Sequence, residues 1–180
     1  MKLPLPDMVH ITHPKSDRPI HSQKIRDIRD YWLSLKPEGH LPEWRDFSPL
    51  DIPELLPHLI VVDCLREPLQ FRYRLIGTFV TRIAGRDSTN RMLDADLFGD
   101  RMEAMTWHYR HCAETAEPLA TLGTVHFVKQ DWVVAEHVFL PFAPPGGSVD
   151  IILAGLDTLD KSHWQSGYNH QIEPILDWRS

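Results

Sequence analysis

A predicted pair of adjacent strands constrains the fold of this chain more than any other feature of its sequence. Residues 59–65 form a short apolar run rich in β-branched side chains, which predicts a buried strand. Residues 71–75 alternate between apolar and basic side chains, which predicts a second, half-buried strand. Glu67-Pro68 between them is typical of a turn. The sequence therefore predicts a β-hairpin.

A helical region separates this hairpin from three further predicted strands. Gly85 closes a short predicted helix over residues 78–84, and the following stretch up to Gly99 is rich in turn-forming residues. The remaining predicted elements are a longer helix over about 100–116 and strands over 119–128, 132–140 and 149–156. This order predicts an α+β fold, with one five-stranded antiparallel sheet and helices on one face.

An amphipathic helix is predicted ahead of the hairpin, with Ser22 as its N-cap. Its apolar seam at helical spacing consists of Ile25, Ile28, Trp32 and Leu35. This seam needs a cover, which is either the chain's own sheet or the same helix of a second chain. We favour the second alternative and therefore expect a homodimer.

The two ends of the chain have a different character. Residues 1–21 contain four prolines and little apolar periodicity, which predicts a flexible or extended arm. Residues 158–180 show no clear period and are interpreted as a tail or a short helix. The predicted domain therefore covers residues 22–157, including the first helix.

Composition excludes several classes of partner. The net charge is −6 and no cluster of Lys and Arg is present, which argues against binding to nucleic acid or to an anionic membrane. No apolar stretch has the length of a membrane span. The only two cysteines, Cys64 and Cys112, indicate reduced thiols. We expect a cytoplasmic protein.

Several segments, taken in order, resemble the PAS superfamily, and in particular small bacterial single-domain PAS-like proteins. The resemblance covers about residues 22–157, with Asn90 where the family commonly has glycine. The segments that carry it are Tyr31-Trp32 and residues 51–59, 71–78, 85–91, 136–141 and 149–150. It implies a sheet whose concave face is covered by the middle helices. It also implies that the domain senses a small molecule or binds a cofactor there, or dimerises and relays a signal.

The candidate ligand pocket lies on the apolar side of the second strand. Phe71, Tyr73 and Leu75 form a stripe there, and Met105 and Tyr109 of the long helix are expected to join it. The apolar series of that helix is Met102, Met105, Tyr109, Cys112 and Ala116. A packed core and a true cavity for a small apolar or aromatic ligand remain alternatives.

His126 and Glu136 form a second candidate constellation. A three-residue turn over 129–131 places Thr124 opposite Glu136 and makes His126 its diagonal neighbour on one face. A two-residue loop places the two side chains on opposite faces. The pair would bind a polar ligand, act as acid and base, or stabilise the surface of the sheet.

Histidines on the long helix are weak candidates for a metal or haem site. His111 falls off the apolar face of that helix and His108 lies on its flank, so neither is expected to point into a buried pocket. We therefore disfavour haem and leave the cofactor unidentified. Trp107, on the opposite side of the helix, is expected to be an exposed contact for another protein.

Three functions follow from these patterns. The first is a stand-alone sensory domain that binds a small molecule and relays the change to an unidentified signalling partner. The second is a ligand-free, homodimeric interaction module. The third, a small enzyme using His126 and Glu136, is a minority alternative, because the sequence contains no phosphate-binding loop, nucleophile elbow or CxxC pair.

Overall fold

One antiparallel sheet organises the chain. The computed structural model describes residues 9–10, 20–125 and 133–160. Within these ranges six strands follow one another across the sheet in the order β1-β4-β5-β6-β2-β3. They are β1 Val9–His10, β2 Leu59–Leu65, β3 Gln70–Ile76, β4 Leu119–Val125, β5 Val133–Phe142 and β6 Ile151–Leu159. The five predicted strands are confirmed, and the two-residue β1 adds an edge strand beside β4.

Helices lie on both faces of this sheet. They are α1 Gln23–Leu35, α2 Thr78–Ala84, α3 Ala95–Phe98 and α4 Met102–Thr115, and short 3₁₀ turns connect several of the elements. Ile151 and Leu153 of β6 belong to the apolar cluster of α1, whereas Ile152 and Ala154 belong to the cluster of α2, α3 and α4. Because side chains alternate along a strand, the middle helices cover one face and α1 covers the other. No helix in the described ranges is long and apolar enough to cross a membrane.

The seam of α1 packs on the sheet of its own chain. Ile25, Ile28 and Trp32 are fully buried in one cluster with Val138, Leu140 and Leu153 of the sheet, and Leu35 packs at the edge of this cluster. The Trp32 indole N–H is in addition 3.0 Å from the carbonyl of Pro141, to which it donates. The first of the two alternatives for covering the seam is therefore the observed one, and these side chains are not available to a second chain.

Gly155 of β6 lets α1 approach the sheet closely. A Cβ atom at this position would lie 2.8 Å from Cδ1 of Ile28 and 3.3 Å from Cδ1 of Ile25. Glycine at this position therefore allows the close packing of α1, since a methyl group here would push the helix away from the sheet. At the start of this helix, the Ser22 hydroxyl accepts the backbone N–H of Ile25 at 3.2 Å, which confirms the predicted N-cap.

A β-bulge changes the face of Leu75. Val61 pairs with Leu75 and Val62 pairs with Tyr73, so that Arg74 is an extra residue in the ladder. Tyr73 remains on the face of the middle helices and is buried, but Leu75 is 46% exposed. The prediction that Leu75 lines the pocket is wrong, because strict alternation ends at the bulge.

In the long helix α4, the burial of a side chain depends on its position along the helix axis and not on the face of the helix that it occupies. Its middle turn, residues 106–109, is buried on every side, whereas Met102 and Met105 in its first turn are 37% and 42% exposed. Trp107 is only 5% exposed. Two predictions are therefore wrong: Met105 does not line the interior, and Trp107 is not a surface contact.

Candidate functional site

The candidate site lies between the sheet and α4, on the face predicted for a ligand. Phe71 and Tyr109 contact each other with ring centroids 5.8 Å apart, and Tyr109 meets Phe139 edge-on at 5.2 Å. Tyr73 completes this aromatic wall and shares a hydrogen bond with Tyr109. Three of the predicted pocket residues, Phe71, Tyr73 and Tyr109, are thus brought together, while Leu75 and Met105 are not.

Both phenols of this wall are neutral groups. Burial raises the pKa of Tyr73 to about 12 and raises the pKa of Tyr109 well above its usual value. Burial likewise raises the pKa of the Cys64 thiol to about 12 and raises the pKa of the Cys112 thiol well above its usual value. The two thiols and the two phenols are therefore protonated at neutral pH.

His108 is the most unusual side chain of the site. It is 8% exposed, and its ring stacks on Phe139 with a centroid distance of 4.9 Å and an interplanar angle of 6°. Burial, together with charge on nearby His137 and His111, lowers the pKa of His108 to about 3. His108 is therefore a neutral imidazole at physiological pH. The sequence placed it on the flank of the helix, and the structure places it inside.

Trp107 and His111 continue this group along α4. Their rings stack at 5.1 Å with an interplanar angle of 13°, as expected for residues four positions apart on a helix. Trp107 also meets His108 edge-on at 5.4 Å. Indole and imidazole rings from three nearby positions therefore form one polar-edged aromatic group within the interior.

Three nitrogen atoms of this group have no hydrogen-bond partner among the described residues. They are Nε1 of Trp107, Nε2 of His108 and Nε2 of His111, and all three are inaccessible to solvent. Leaving a buried polar atom unpaired costs about 1–3 kcal/mol, and native structures contain few such atoms. Three of them within two turns of α4 are therefore an unusual concentration of unsatisfied ring nitrogens.

The described residues contain no group of three or more His, Cys, Asp or Glu side chains arranged to hold a metal ion. His108 and His111, the weak metal candidates, instead have aromatic neighbours on their flanks. The Cys112 thiol donates to the backbone carbonyl of Glu117 at 3.0 Å.

Glu136 lies on the other face of the sheet, where it holds the start of α1. Its carboxylate is fully buried and accepts the backbone N–H groups of His21 at 2.9 Å and Ser22 at 2.7 Å. Burial raises the pKa of Glu136, and these hydrogen bonds oppose the rise. The carboxylate satisfies backbone donors ahead of the helix, which is a structural role.

The predicted pairing of His126 with Glu136 does not agree with the observed register. Leu122, not Thr124, lies opposite Glu136, and Thr124 lies opposite Val134. The last described pair of this ladder is Val125 with Val133, and the predicted turn over 129–131 lies outside the described residues. His126 itself falls outside the described residues.

Sequence reasoning missed a second carboxylate beside Glu136. Asp157 is its direct neighbour on β6 and accepts the Ser22 hydroxyl at 2.7 Å. Nδ1 of His58 lies 3.5 Å from the Asp157 carboxylate and 3.0 Å from the Leu156 carbonyl oxygen. The Ser22 contact joins residues 135 positions apart in the chain and the His58 contacts join residues about 100 positions apart. No local sequence pattern predicts contacts over such separations.

Asp63 is a third buried carboxylate, and it too has a structural role. Arg72 donates to it with Nη2 at 2.8 Å, and Arg74 pairs with its other oxygen. The two half-exposed guanidinium groups thereby compensate one buried charge. They are consequently engaged with Asp63 rather than forming an open basic patch.

Comparison with known proteins bears on the whole domain. A family model described as a PAS domain matches residues 20–156. Among solved structures, a light-oxygen-voltage domain studied with a flavin analogue is 9% identical with a TM-score of 0.48, over 63% of this chain and 85% of that chain. The Rhodobacter sphaeroides LOV protein is 13% identical with a TM-score of 0.46, over 64% of this chain and 70% of that chain. No curated protein matches the chain.

Proposed function

The chain belongs to the PAS domain family, and from this premise we propose that it is a sensory domain that binds a small molecule between the sheet and α4 and relays binding to a protein partner. The observation that supports this most strongly is the set of unpaired nitrogens of Trp107, His108 and His111. An aromatic wall with a few convergent polar atoms is the usual composition of a small-molecule site.

Strand β5 supplies a route from this site to the opposite face. Phe139 of β5 stacks on His108, while Glu136 of the same strand holds the start of α1. A ligand that shifts β5 toward or away from α4 would therefore also move the Glu136 carboxylate, to which the start of α1 is hydrogen-bonded. In this proposal α1 is the element whose attachment to the sheet responds to the ligand.

The proposal assigns no catalytic step to the chain. Burial keeps the thiols of Cys64 and Cys112 and the phenol of Tyr109 in their neutral, unreactive forms. The acidic net charge of −6 and the two reduced cysteines favour a cytoplasmic setting.

A ligand-free interaction module is the second candidate, favoured by exposed apolar side chains. Met102 and Met105 are both exposed on the first turn of α4, and Leu50 is 87% exposed. Methionine is adaptable and common on surfaces that bind other proteins. A homodimer remains part of this proposal, but it would use a surface other than the buried seam of α1.

Native mass spectrometry of the purified protein, with an absorbance scan, distinguishes the two candidates. The sensory proposal predicts a mass above that of the bare chain, with a defined molecule released on denaturation. A mass equal to the bare chain or to its dimer at every protein concentration would contradict ligand binding and favour the interaction module.

A further inference from the structure

We propose that α4 is an acid-operated element of the fold, which separates from the sheet when protons bind to the imidazoles of His108, His111 and His137. His108 and His111 belong to α4 and His137 belongs to β5, and these two elements are in contact. The opening requires only protons, so it is independent of the small molecule in the proposed function. The geometry that supports it is the stacking of the three rings, their unpaired nitrogens and the shortage of negative charge around them.

Aromatic rings surround the imidazoles on both sides of this contact. His108 stacks on Phe139 with ring centroids 4.9 Å apart, and His137 stacks near the same ring at 5.9 Å. His111 stacks on Trp107 at 5.1 Å. His108 is buried and the other two imidazoles are half-buried. A charged imidazole in this place loses hydration, and its attraction to the face of Phe139 is smaller than that loss.

The hydrogen bonds of the imidazoles also favour the neutral form. Nε2 of His108 and Nε2 of His111 are inaccessible to solvent and have no partner among the described residues. Protonation puts an N–H donor on both nitrogens of a ring, so that Nε2 becomes a buried donor without an acceptor. Such a donor is more stable where water reaches it. Separation of α4 from the sheet provides that water.

Negative charge around the imidazoles is confined to the C-terminal end of α4. In the described part of the chain, the carboxylates that act on any of the three are those of Glu114 and Glu117, and both act on His111. Glu114 is also 3.6 Å from the guanidinium of Arg110 on the same helix. The Arg66 guanidinium donates to a carbonyl of α4 at 3.3 Å and adds positive charge there.

The other elements near α4 offer no carboxylate to these rings within the described residues. Strand β4 contains no ionisable side chain, and Glu136 and Asp157 lie on the α1 face of the sheet. The acidic side chains ahead of α4 are exposed or cap α3, and they are Asp87, Asp94, Asp96, Asp100 and Glu103. The remaining ionisable groups on this side are the neutral thiols and phenols of Cys64, Cys112, Tyr73 and Tyr109.

The direction of the pH effect follows from the three imidazoles. Burial is the main cause that lowers the pKa of His108 to about 3 and the pKa of His137 to about 4, and it also lowers the pKa of His111. After separation the rings regain a pKa of about 6.5. Protons therefore favour the open state as the pH falls below about 6.5. Between pH 7 and pH 5, His108 and His137 each increase the opening constant by about 25-fold.

The opening is confined to one face because the sheet carries two separate apolar clusters. α4 packs in the cluster that contains Ile152 and Ala154, whereas α1 packs in the cluster that contains Leu140 and Leu153. When α4 separates, α1 keeps its apolar contacts and its hydrogen bonds to Glu136. Proteins open locally in cooperative units of this kind.

Hydrogen exchange of backbone amides at pH 7, 6 and 5, corrected for the intrinsic pH dependence of exchange, tests the proposal on the unsubstituted protein. For residues 106–113 of α4, we expect the opening constant to rise by at least about 300-fold from pH 7 to pH 5. For residues 25–35 of α1, we expect a rise of less than about ten-fold. The side-chain ¹⁵N–¹H signals of Trp107 and Trp32 report the two faces separately, and only the Trp107 signal should change.

A double variant, His108→Phe/His137→Phe, keeps flat rings at both positions and removes two proton sites. The rise of the α4 opening constant should be at least about 100-fold smaller in this variant. The control is His40→Phe, because His40 is exposed, and it should behave as the unsubstituted protein. Thermal unfolding establishes that each variant is folded. If the double variant is not folded, the contrast between α4 and α1 in the unsubstituted protein decides.

Three results would overturn the proposal. They are a corrected opening constant of α4 that does not change with pH, an equal rise in α4 and α1, which indicates global unfolding, and an unchanged rise in the folded double variant. A rise in α4 alone that disappears in the double variant would establish these histidines as the proton sites.

Discussion

Glu136 and His137 are consecutive residues of β5, and their side chains lie on opposite faces of the sheet. Glu136 accepts two backbone N–H groups ahead of α1, whereas His137 stacks near Phe139 at 5.9 Å on the face of α4. A displacement of β5 would therefore change the contacts of both the candidate site and α1. This relationship is the structural basis of the proposed relay.

The attachment of α1 depends on the Glu136 carboxylate. Glu136→Gln should lower the free energy of unfolding by about 1–3 kcal/mol, because the amide nitrogen faces backbone donors and leaves one of them unpaired. Urea unfolding followed by tryptophan fluorescence measures this change. The matched variant Glu103→Gln, at an exposed position of α4, should change stability by less than about 0.5 kcal/mol. Equal effects of the two variants would contradict the anchoring role.

The buried His108 makes stability depend on pH. Its pKa is about 3 in the folded protein and near 6.5 in the unfolded chain, so only the unfolded chain takes up a proton between these values. The free energy of unfolding is therefore unaffected by His108 above pH 6.5. As the pH falls from 6.5 toward 3, protonation of His108 in the unfolded chain lowers the free energy of unfolding by up to about 1.4 kcal/mol per pH unit. Unfolding measured from pH 7 to pH 4.5 should show a shallower loss in His108→Phe than in the unsubstituted protein.

The control for this experiment is His40→Phe, because His40 is exposed. It should reproduce the pH dependence of the unsubstituted protein. A His108→Phe protein whose stability falls with the same slope would show that His108 is not held neutral in the interior.

The close packing of α1 on β6 depends on Gly155. Gly155→Ala should destabilise the protein by about 1–3 kcal/mol, because the new Cβ would lie 2.8 Å from Cδ1 of Ile28. Removing that atom with Ile28→Val should relieve the clash, so the double variant should lose less stability than the sum of the two single variants. Strict additivity in denaturant unfolding would contradict this contact.

The β-bulge at Arg74 predicts different costs for two leucines. Leu153→Ala removes a fully buried side chain and should cost about 2–5 kcal/mol. Leu75→Ala removes a side chain that is 46% exposed and should cost less than about 1 kcal/mol. Comparable losses in urea unfolding would place Leu75 in the core and contradict the observed register.

Local patterns in the sequence predicted the elements of this fold well. The alternation of residues 71–75 and the apolar run before it specified the hairpin, and Ser22 with the seam of Ile25 and Trp32 specified α1. The resemblance to the PAS superfamily is confirmed by the match of the family model over residues 20–156. These features depend on residues close together in the chain, which is why a single sequence carries them.

The composition of the candidate site was harder to predict, because it depends on tertiary structure. A single extra residue at the bulge moved Leu75 to the other face, and the middle turn of α4 buried Trp107 and His108 regardless of the helical face they occupy. The partners of Glu136 lie more than 110 positions away in the chain. Hydrophobic periodicity records neither the depth of a helix turn nor such distant contacts.

Ligand binding at Trp107 and His108 is tested most directly by native mass spectrometry of the unsubstituted protein and of a Trp107→Phe/His108→Phe double variant, after the same purification. We expect a bound molecule on the unsubstituted protein and a bare mass for the folded double variant. The same added mass on both proteins, or a bare mass on both, would contradict the claim that these two side chains hold a ligand.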